Sequence, residues 1–392
     1  MPVKKVILKK GKERSLERFH PWVFSGAVQH MEGNPAEGDI TGVFSAAGKF
    51  LGCGHFASSS ITVRVLTFDD EVPGEEFFIK RFQNAYLLRK QLNIAENPQT
   101  TCYRLIHGEG DLLPGLICDI YNDVAVLQCH TKGMYLQRGI ISKALQHVLG
   151  KKLSAIYDKS AELQHKNTGS VNEYLFGNHQ GETEVKENGH RFLVNWETGQ
   201  KTGFFLDQRD NRFLLGQYAS GKKILNTFCY SGGFSVYALN EDAAEVHSLD
   251  SSQKAIDLTE KNTALTGKSL LHKSIVADAI PYFRNVESDY DIIILDPPAF
   301  AKHLSAKHNA IQGYRRLNEE AISKIKSGGL IFTFSCSQAI DAETFSGIIF
   351  SAAANTRRKV RVLHKMRQPA DHPVNIYHPE GEYLKGLVIE VE

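Results

Sequence analysis

Six cysteines, Cys53, Cys102, Cys118, Cys129, Cys229 and Cys336, are scattered through 392 residues with no C-x-x-C pair. That usage predicts reduced thiols rather than a disulfide framework, so a cysteine with a special role must be recognised by its context. Cys336 has one. It lies in the run Phe332-Thr-Phe-Ser-Cys-Ser337, which reads as the end of a strand, and a second strand runs Ile293-Ile-Leu into Asp296-Pro297-Pro298. The double proline fixes a rigid exit that holds Asp296 at the strand tip. If the two strands are neighbours in an open α/β sheet, Asp296 and Cys336 project from one edge into one crevice. That pairing suits pyrimidine chemistry, because C5 is a poor nucleophile toward a methyl sulfonium until a thiolate adds to C6. Cys336 would form the adduct, C5 would take the methyl group, and a base would remove the C5 proton before the thiolate leaves. Asp296 would hold the ring edge. Since a base inside a helix hides C6, the target must be single-stranded or flipped out.

A cofactor site is readable upstream of that pair. The strand Lys222–Asn226 enters the loop Thr227-Phe-Cys-Tyr-Ser-Gly-Gly-Phe234, where Gly232 and Gly233 allow a ligand to approach the backbone and Tyr230 stands beside them. Asp250, followed by Ser251, ends the next strand at the spacing expected of a carboxylate that takes ribose hydroxyls. Asp278 ends the strand after that. Each has a plain alternative, a common Gly-Gly turn or an acid capping the next helix, but their order on consecutive strands argues for one site. The loop is not Gly-x-Gly-x-x-Gly, so adenosine with a non-phosphate tail fits better than a dinucleotide.

These residues need a doubly wound α/β sheet to position them. After Gly221 strand and helix patterns alternate: 223–226, 234–239, 245–250, 253–262, 275–277, 291–296, 315–326 and 329–334. Such alternation predicts a parallel sheet covered by helices on both faces. Residues 1–70 alternate β-rich runs (5–8, 40–44, 61–68) with turns at Gly26, Gly33, Gly38, Gly48 and Gly52, the grammar of a small β barrel. An acidic stretch, Asp69–Glu76, precedes a helical pattern over 77–92. A meander over 103–130, a helix over 135–149 and a strand at 155–157 then make residues 75–184 a central α+β domain. His107–Asp111 reads as a turn, 185–205 as a linking segment, and 185–392 as the domain of the α/β sheet.

Composition excludes other classes. No apolar run approaches the ~20 residues that cross a bilayer, and the first ten residues lack a secretory pattern, so a cytoplasmic protein without a membrane partner is expected. Net charge is only +2, so a case for nucleic acid must be local. Lys4, Lys5, Lys9, Lys10, Lys12, Arg14 and Arg18 outnumber Glu13 and Glu17, with Phe19, Trp22 and Phe24 close behind; a solvated basic edge is the plain alternative. The sixteen histidines show no ligand spacing with cysteines, and no metal site is expected.

Nearly the whole chain resembles the ribosomal large subunit methyltransferase I family, which makes 5-methylcytosine in large-subunit ribosomal RNA. The resemblance is carried by His20-Pro-Trp-Val-Phe-Ser-Gly26, Tyr103-Arg-Leu-Ile-His-Gly-Glu109, Leu113-Pro-Gly-Leu116, Lys201-Thr-Gly-Phe-Phe-Leu-Asp-Gln-Arg-Asp-Asn-Arg212, Tyr230-Ser-Gly-Gly-Phe234, Asp296-Pro-Pro, Phe334-Ser-Cys-Ser337, Ala370-Asp-His-Pro-Val374 and Pro379-Glu-Gly-Glu-Tyr-Leu-Lys-Gly386. It implies an N-terminal PUA-like RNA-binding barrel, a central α+β domain and a C-terminal class I methyltransferase fold. It further implies S-adenosylmethionine in a pocket of Tyr230, Gly232, Asp250, Ser251, Asp278 and Asp296, with Asp207, Gln208 and Arg209 bordering its methionine end and Cys336 as nucleophile.

Two departures stand out. Ala299 follows the double proline where relatives tend to have lysine, and Cys229 sits in the cofactor loop, where a space-filling role is expected. Three rival readings stay open: a guanine methylase, whose base attacks the methyl group without a thiolate; a uracil C5 methylase using the same thiol logic; and a non-catalytic RNA-binding assembly factor. Cys336 favours C5 chemistry. A homodimer is compatible with the sequence, which does not give the oligomeric state.

Overall fold

The computed structural model describes residues 4–164, 170–286, 289–301 and 303–392. The chain forms two compact units: Met1–Val185 with Val194–Phe204 and Ala370–Gly381, and Lys186–Leu193 with Phe205–Pro369 and Glu382–Glu392. Among the described residues no helix is long and apolar enough to cross a membrane.

The first unit begins with β1 (Lys5–Leu8), α1 (Arg14–Glu17), β2 (Trp22–Phe24), β3 (Val28–Glu32), β4 (Ile40–Phe44), β5 (Phe50–Phe56) and β6 (Ile61–Thr67). Its six strands lie in the order β2-β6-β5-β4-β1-β3. Val6, Leu8, Leu16, Val23, Val43, Phe56, Val63 and Val65 form their apolar centre. Gly52, read from sequence as a turn, instead lies inside β5. The two glycines of this strand serve close approach: a Cβ on Gly54 would stand 1.9 Å from the carbonyl oxygen of Arg64.

Five further strands follow, with helices packed on them. These are α2 (Glu75–Gln91), β7 (Cys102–His107), β8 (Leu116–Tyr121), β9 (Val124–Cys129), α3 (Lys132–Leu136), α4 (Arg138–Leu149), β10 (Ala155–Asp158) and β11 (Glu173–Phe176). The meander β7-β8-β9 is antiparallel, and β10 returns parallel to β9 across the helices. Glu75 and Glu76 in the first turn of α2 suit the positive end of its dipole and start the helix ahead of its apolar pattern. The His107–Asp111 segment is a single 3-10 turn whose Asp111 is gripped by the buried Arg89 at 2.5 and 2.7 Å.

A hairpin, β12 (Glu182–Glu187) and β13 (His190–Asn195), occupies the linking segment. The second unit then runs α5 (Arg209–Ala219), β14 (Lys223–Thr227), α6 (Gly233–Asn240), β15 (Glu245–Asp250), α7 (Gln253–Ala264), β16 (His272–Val276), α8 (Ala279–Asn285), β17 (Ile292–Leu295), α9 (Lys307–Lys324), β18 (Gly329–Ser335), α10 (Ala342–Thr356), β19 (Val360–Arg367) and β20 (Lys385–Val391). The sheet order is β16-β15-β14-β17-β18-β20-β19. Strands β14 to β18 are mutually parallel, and the two central strands β17 and β18 carry the near-continuous apolar runs that two covered faces require. One face packs Phe283, Tyr314, Leu317, Phe345 and Ile348 from α8, α9 and α10; the other packs Leu215, Phe234 and Leu239 from α5 and α6. The expectation of a wholly parallel sheet needs correction at one edge, since β20 is antiparallel to β18 and to β19. No helix joins β19 to β20, so the right-handed crossover that enforces parallel pairing is missing there.

Candidate active site

Parallel strands end at a common edge, and the predicted residues gather there. Register pairs Thr227 with Leu295 and Leu295 with Thr333, which places the β14 loop, Asp296 and the end of β18 side by side. The two strands bearing Asp296 and Cys336 are direct neighbours.

The loop after β14 is wound tightly: Phe228, Tyr230 and Gly232 have φ of 56°, 46° and 72°. A Cβ on Gly232 would lie 2.8 Å from Thr259 Cγ2, so only glycine leaves that backbone open. Side chains of α7 and β15 hold the loop. Thr259 donates to the Tyr230 carbonyl at 3.0 Å, Asn262 to the Ser231 carbonyl at 2.8 Å, and the Tyr230 amide donates to Asp250 Oδ2 at 3.1 Å. The other Asp250 oxygen accepts from the Ser252 amide at 2.9 Å, which leaves further lone pairs for a diol. Ser251 is exposed beside it. Asp278 is exposed at the N-cap position of α8, where its side chain makes no capping hydrogen bond.

Asp296 is held from α5. Gln208 Nε2 donates to its Oδ1 at 3.0 Å, and Asn211 Nδ2 donates to Gln208 Oε1 at 2.6 Å, fixing the amide's orientation. Arg209 and Arg212 lie buried against Glu187, Arg212 through two 2.8 Å bonds and Arg209 at 3.8 Å. Tyr383 donates to Asp207 Oδ2 at 2.7 Å; Asp207 Oδ1 is buried with no hydrogen-bond partner among the described residues. Burial, followed by the charge of Asp207, pushes the Asp296 carboxyl up to about 7. Cys336, whose Sγ lies 4.0 Å from the Pro297 carbonyl, is pushed up to about 11 by burial and then by Asp296 and Asp207. The other five cysteines are buried, so Cys336 is the thiol that remains reachable. Cys229, packed at 3.4 Å from the Thr259 hydroxyl, is held at about 12 by burial and fills space as expected.

Comparison with known proteins accords with this geometry. The family described as S-adenosylmethionine-dependent methyltransferase matches residues 104–377, and a PUA-like domain matches residues 6–68. Ribosomal RNA large subunit methyltransferase I of Aeromonas hydrophila is 37% identical over 394 residues, 98% of each chain, and that of Klebsiella pneumoniae strain 342 is 39% identical over 398 residues, covering 99% of this chain and 98% of its own. The chain belongs to the ribosomal RNA large subunit methyltransferase I family. Two solved structures share the fold. A SAM-dependent methyltransferase from Streptococcus mutans is similar over 99% of this chain and 100% of its own (25% identity, TM-score 0.85), and a methyltransferase complexed with SAH has the same coverage and identity with TM-score 0.86. S-adenosylmethionine is the family's cofactor, and the donor set suits it: the Gly232 cradle, the Asp250 carboxylate and the orphaned Asp207 oxygen, an acceptor for an ammonium group.

Sequence reasoning missed Asn211, Tyr383 and Lys385. The last two lie in the family run ending at Gly386 and carried no chemical signature, because their partners are distant in sequence.

Proposed function

We propose that the chain methylates C5 of a cytosine in large-subunit ribosomal RNA through a covalent adduct on Cys336. The observation that carries this reading is the placement of Cys336, the reachable thiol, one strand from Asp296 at the carboxyl edge of the sheet. When bound, S-adenosylmethionine supplies an electrophilic methyl group. The loop at Tyr230–Gly232 takes its adenosine, with Asp250 and Ser251 on the ribose and Asp278 near the base. Asp207, Gln208 and Arg209 border the methionine end.

Cys336 gives up its proton to solvent and Sγ adds to C6, sending the ring electrons toward C5. In its protonated form Asp296 donates to the ring edge and draws charge away from the carbon that sulfur attacks. C5 would form its bond to the methyl carbon as the methyl–sulfonium bond breaks and its electron pair stays on the cofactor sulfur; the C5 proton then leaves to a base, C5=C6 re-forms, and the C6–Sγ bond breaks to return the Cys336 thiolate. Residues 1–70, 75–184 and 185–392 divide the work into an RNA-binding, a central and a catalytic domain, acting in the cytoplasm, with Val194–Phe204 and Ala370–Gly381 of the last range packed into the first compact unit. Phe19, Phe24 and Tyr377, each about half exposed, offer ring faces on the first unit for unpaired bases, with Arg14 and Arg18 exposed alongside.

The test is transfer of labelled methyl to large-subunit ribosomal RNA from cells lacking the enzyme, with the modified nucleoside identified. Label in 5-methylcytosine that is lost in Cys336→Ala supports the reading. Label in guanine that survives Cys336→Ala rejects it in favour of direct attack.

A further inference from the structure

A lysine is rarely buried without a carboxylate partner, because removing an ammonium from water is costly. Lys385 is such a lysine. It is 8% exposed, begins β20, and makes no ion pair among the described residues. Its Nζ donates to the carbonyl oxygen of Ser337 at 2.6 Å. Across the antiparallel ladder Lys385 stands opposite Ser335. The ammonium is thus bonded to the residue that follows Cys336, from a backbone position paired with the residue that precedes it.

The electrostatics around the sulfur make that placement consequential. Asp296 after β17 and Asp207 before α5 both oppose a negative charge on Cys336, while Tyr314 on α9 is held neutral by burial. Lys385 is the cation that favours the charge. The groups whose charges favour the ammonium of Lys385 in turn are Cys336, Asp341 and Glu382. Burial lowers the lysine to about 8, and it remains largely an ammonium at neutral pH.

We propose that Lys385 is the counter-cation of the Cys336 thiolate, a positioning residue that acts through the sulfur without touching the substrate. It steadies the charge when the thiol ionises before attack and again when the thiolate is expelled from C6. No bond to Lys385 forms or breaks. The proposal rests on Cys336 being the nucleophile.

Iodoacetamide alkylation of Cys336, quantified as a rate on its peptide in the full chain from about pH 6 to about pH 8, where Lys385 still carries charge, tests this without RNA, because only the thiolate reacts. Lys385→Met and Lys385→Gln should slow alkylation at neutral pH about tenfold, the loss of thiolate expected when the thiol becomes about one pH unit harder to ionise. Lys385→Arg should stay within about threefold of wild type. Lys385→Gln keeps an N–H donor for the Ser337 carbonyl and decides the matter if Lys385→Met fails to fold. A wild-type profile in Lys385→Gln overturns the inference. Methyl transfer by Cys336→Ala is read in parallel: transfer that survives it sinks the nucleophile, whereas an unmoved profile in Lys385→Gln sinks the counter-cation alone.

Discussion

Gln208 donates its side-chain amide to Asp296 across 3.0 Å, joining two residues 88 apart in the chain. The bond favours the ionised carboxylate, but burial and the nearby Asp207 outweigh it, so Asp296 still titrates near 7. A carboxyl raised in the folded state binds a proton that the unfolded chain has already lost. Stability contributed by that proton is therefore complete below about pH 4 and is lost as pH rises toward 7. Asp296→Asn should remove the pH dependence: thermal melting at pH 8 should rise by a few degrees relative to wild type, roughly 1–2 kcal/mol after discounting for partial exposure, with no gain near pH 4. Equal shifts at both pH values would mean that Asp296 is not protonated in the folded chain.

At Gly232 the backbone combines a φ of 72° with a neighbour that leaves no room for a methyl group. Gly232→Ala should cost about 1–2 kcal/mol in stability, because both the strained conformation and the displaced Thr259 oppose it. The same substitution should weaken S-adenosylmethionine binding at least about tenfold by calorimetry, since the loop would no longer present its backbone at close range. Unchanged affinity would place the cofactor elsewhere along the edge.

Asp207 offers a different test, because one carboxylate oxygen is bound by Tyr383 and the other faces no donor among the described residues. An unsatisfied buried oxygen is expected to have a ligand partner. Asp207→Asn should lower S-adenosylmethionine affinity by about tenfold while leaving Cys336 easier to ionise, because one opposing charge is gone. The pair of readouts, calorimetry and Cys336 alkylation, should move in opposite senses. If both are unchanged, Asp207 serves only to anchor Tyr383.

How much of this was legible in the sequence depends on what kind of pairing each element uses. Strands β14, β15 and β17 are buried along most of their length and each closes on a glycine loop or a carboxylate, so their chemistry was visible at their ends. Strand β19 was not, because Val362 and Leu363 are both exposed and its register slips between Val362 and His364, which erases the two-residue alternation. Helix α9 begins at Lys307 rather than Arg315, since its first turns carry few apolar residues. Lys385 was silent for a stronger reason. Its relation to Cys336 exists only through the antiparallel return of β20, after a long excursion that no local pattern predicts.

The aromatic surface of the first unit completes the set. Phe19 adopts φ 64°, a conformation uncommon for a bulky side chain, and yet remains 49% exposed, with its ring 5.3 Å from that of Tyr377. A strained residue whose ring rests on Phe68 and Tyr377 yet stays half open to solvent suits a ring that offers its free face to a base, and base stacking contributes about 1–3 kcal/mol per base. Phe19→Ala with Phe24→Ala should weaken binding of a fluorescent single-stranded RNA by about tenfold or more without changing its salt dependence. Arg14→Gln with Arg18→Gln should instead flatten the salt dependence, because a neutral side chain displaces no counterion from the phosphate it meets. Should neither pair alter RNA affinity, while S-adenosylmethionine binding stays intact, the RNA must be held by another surface of the chain.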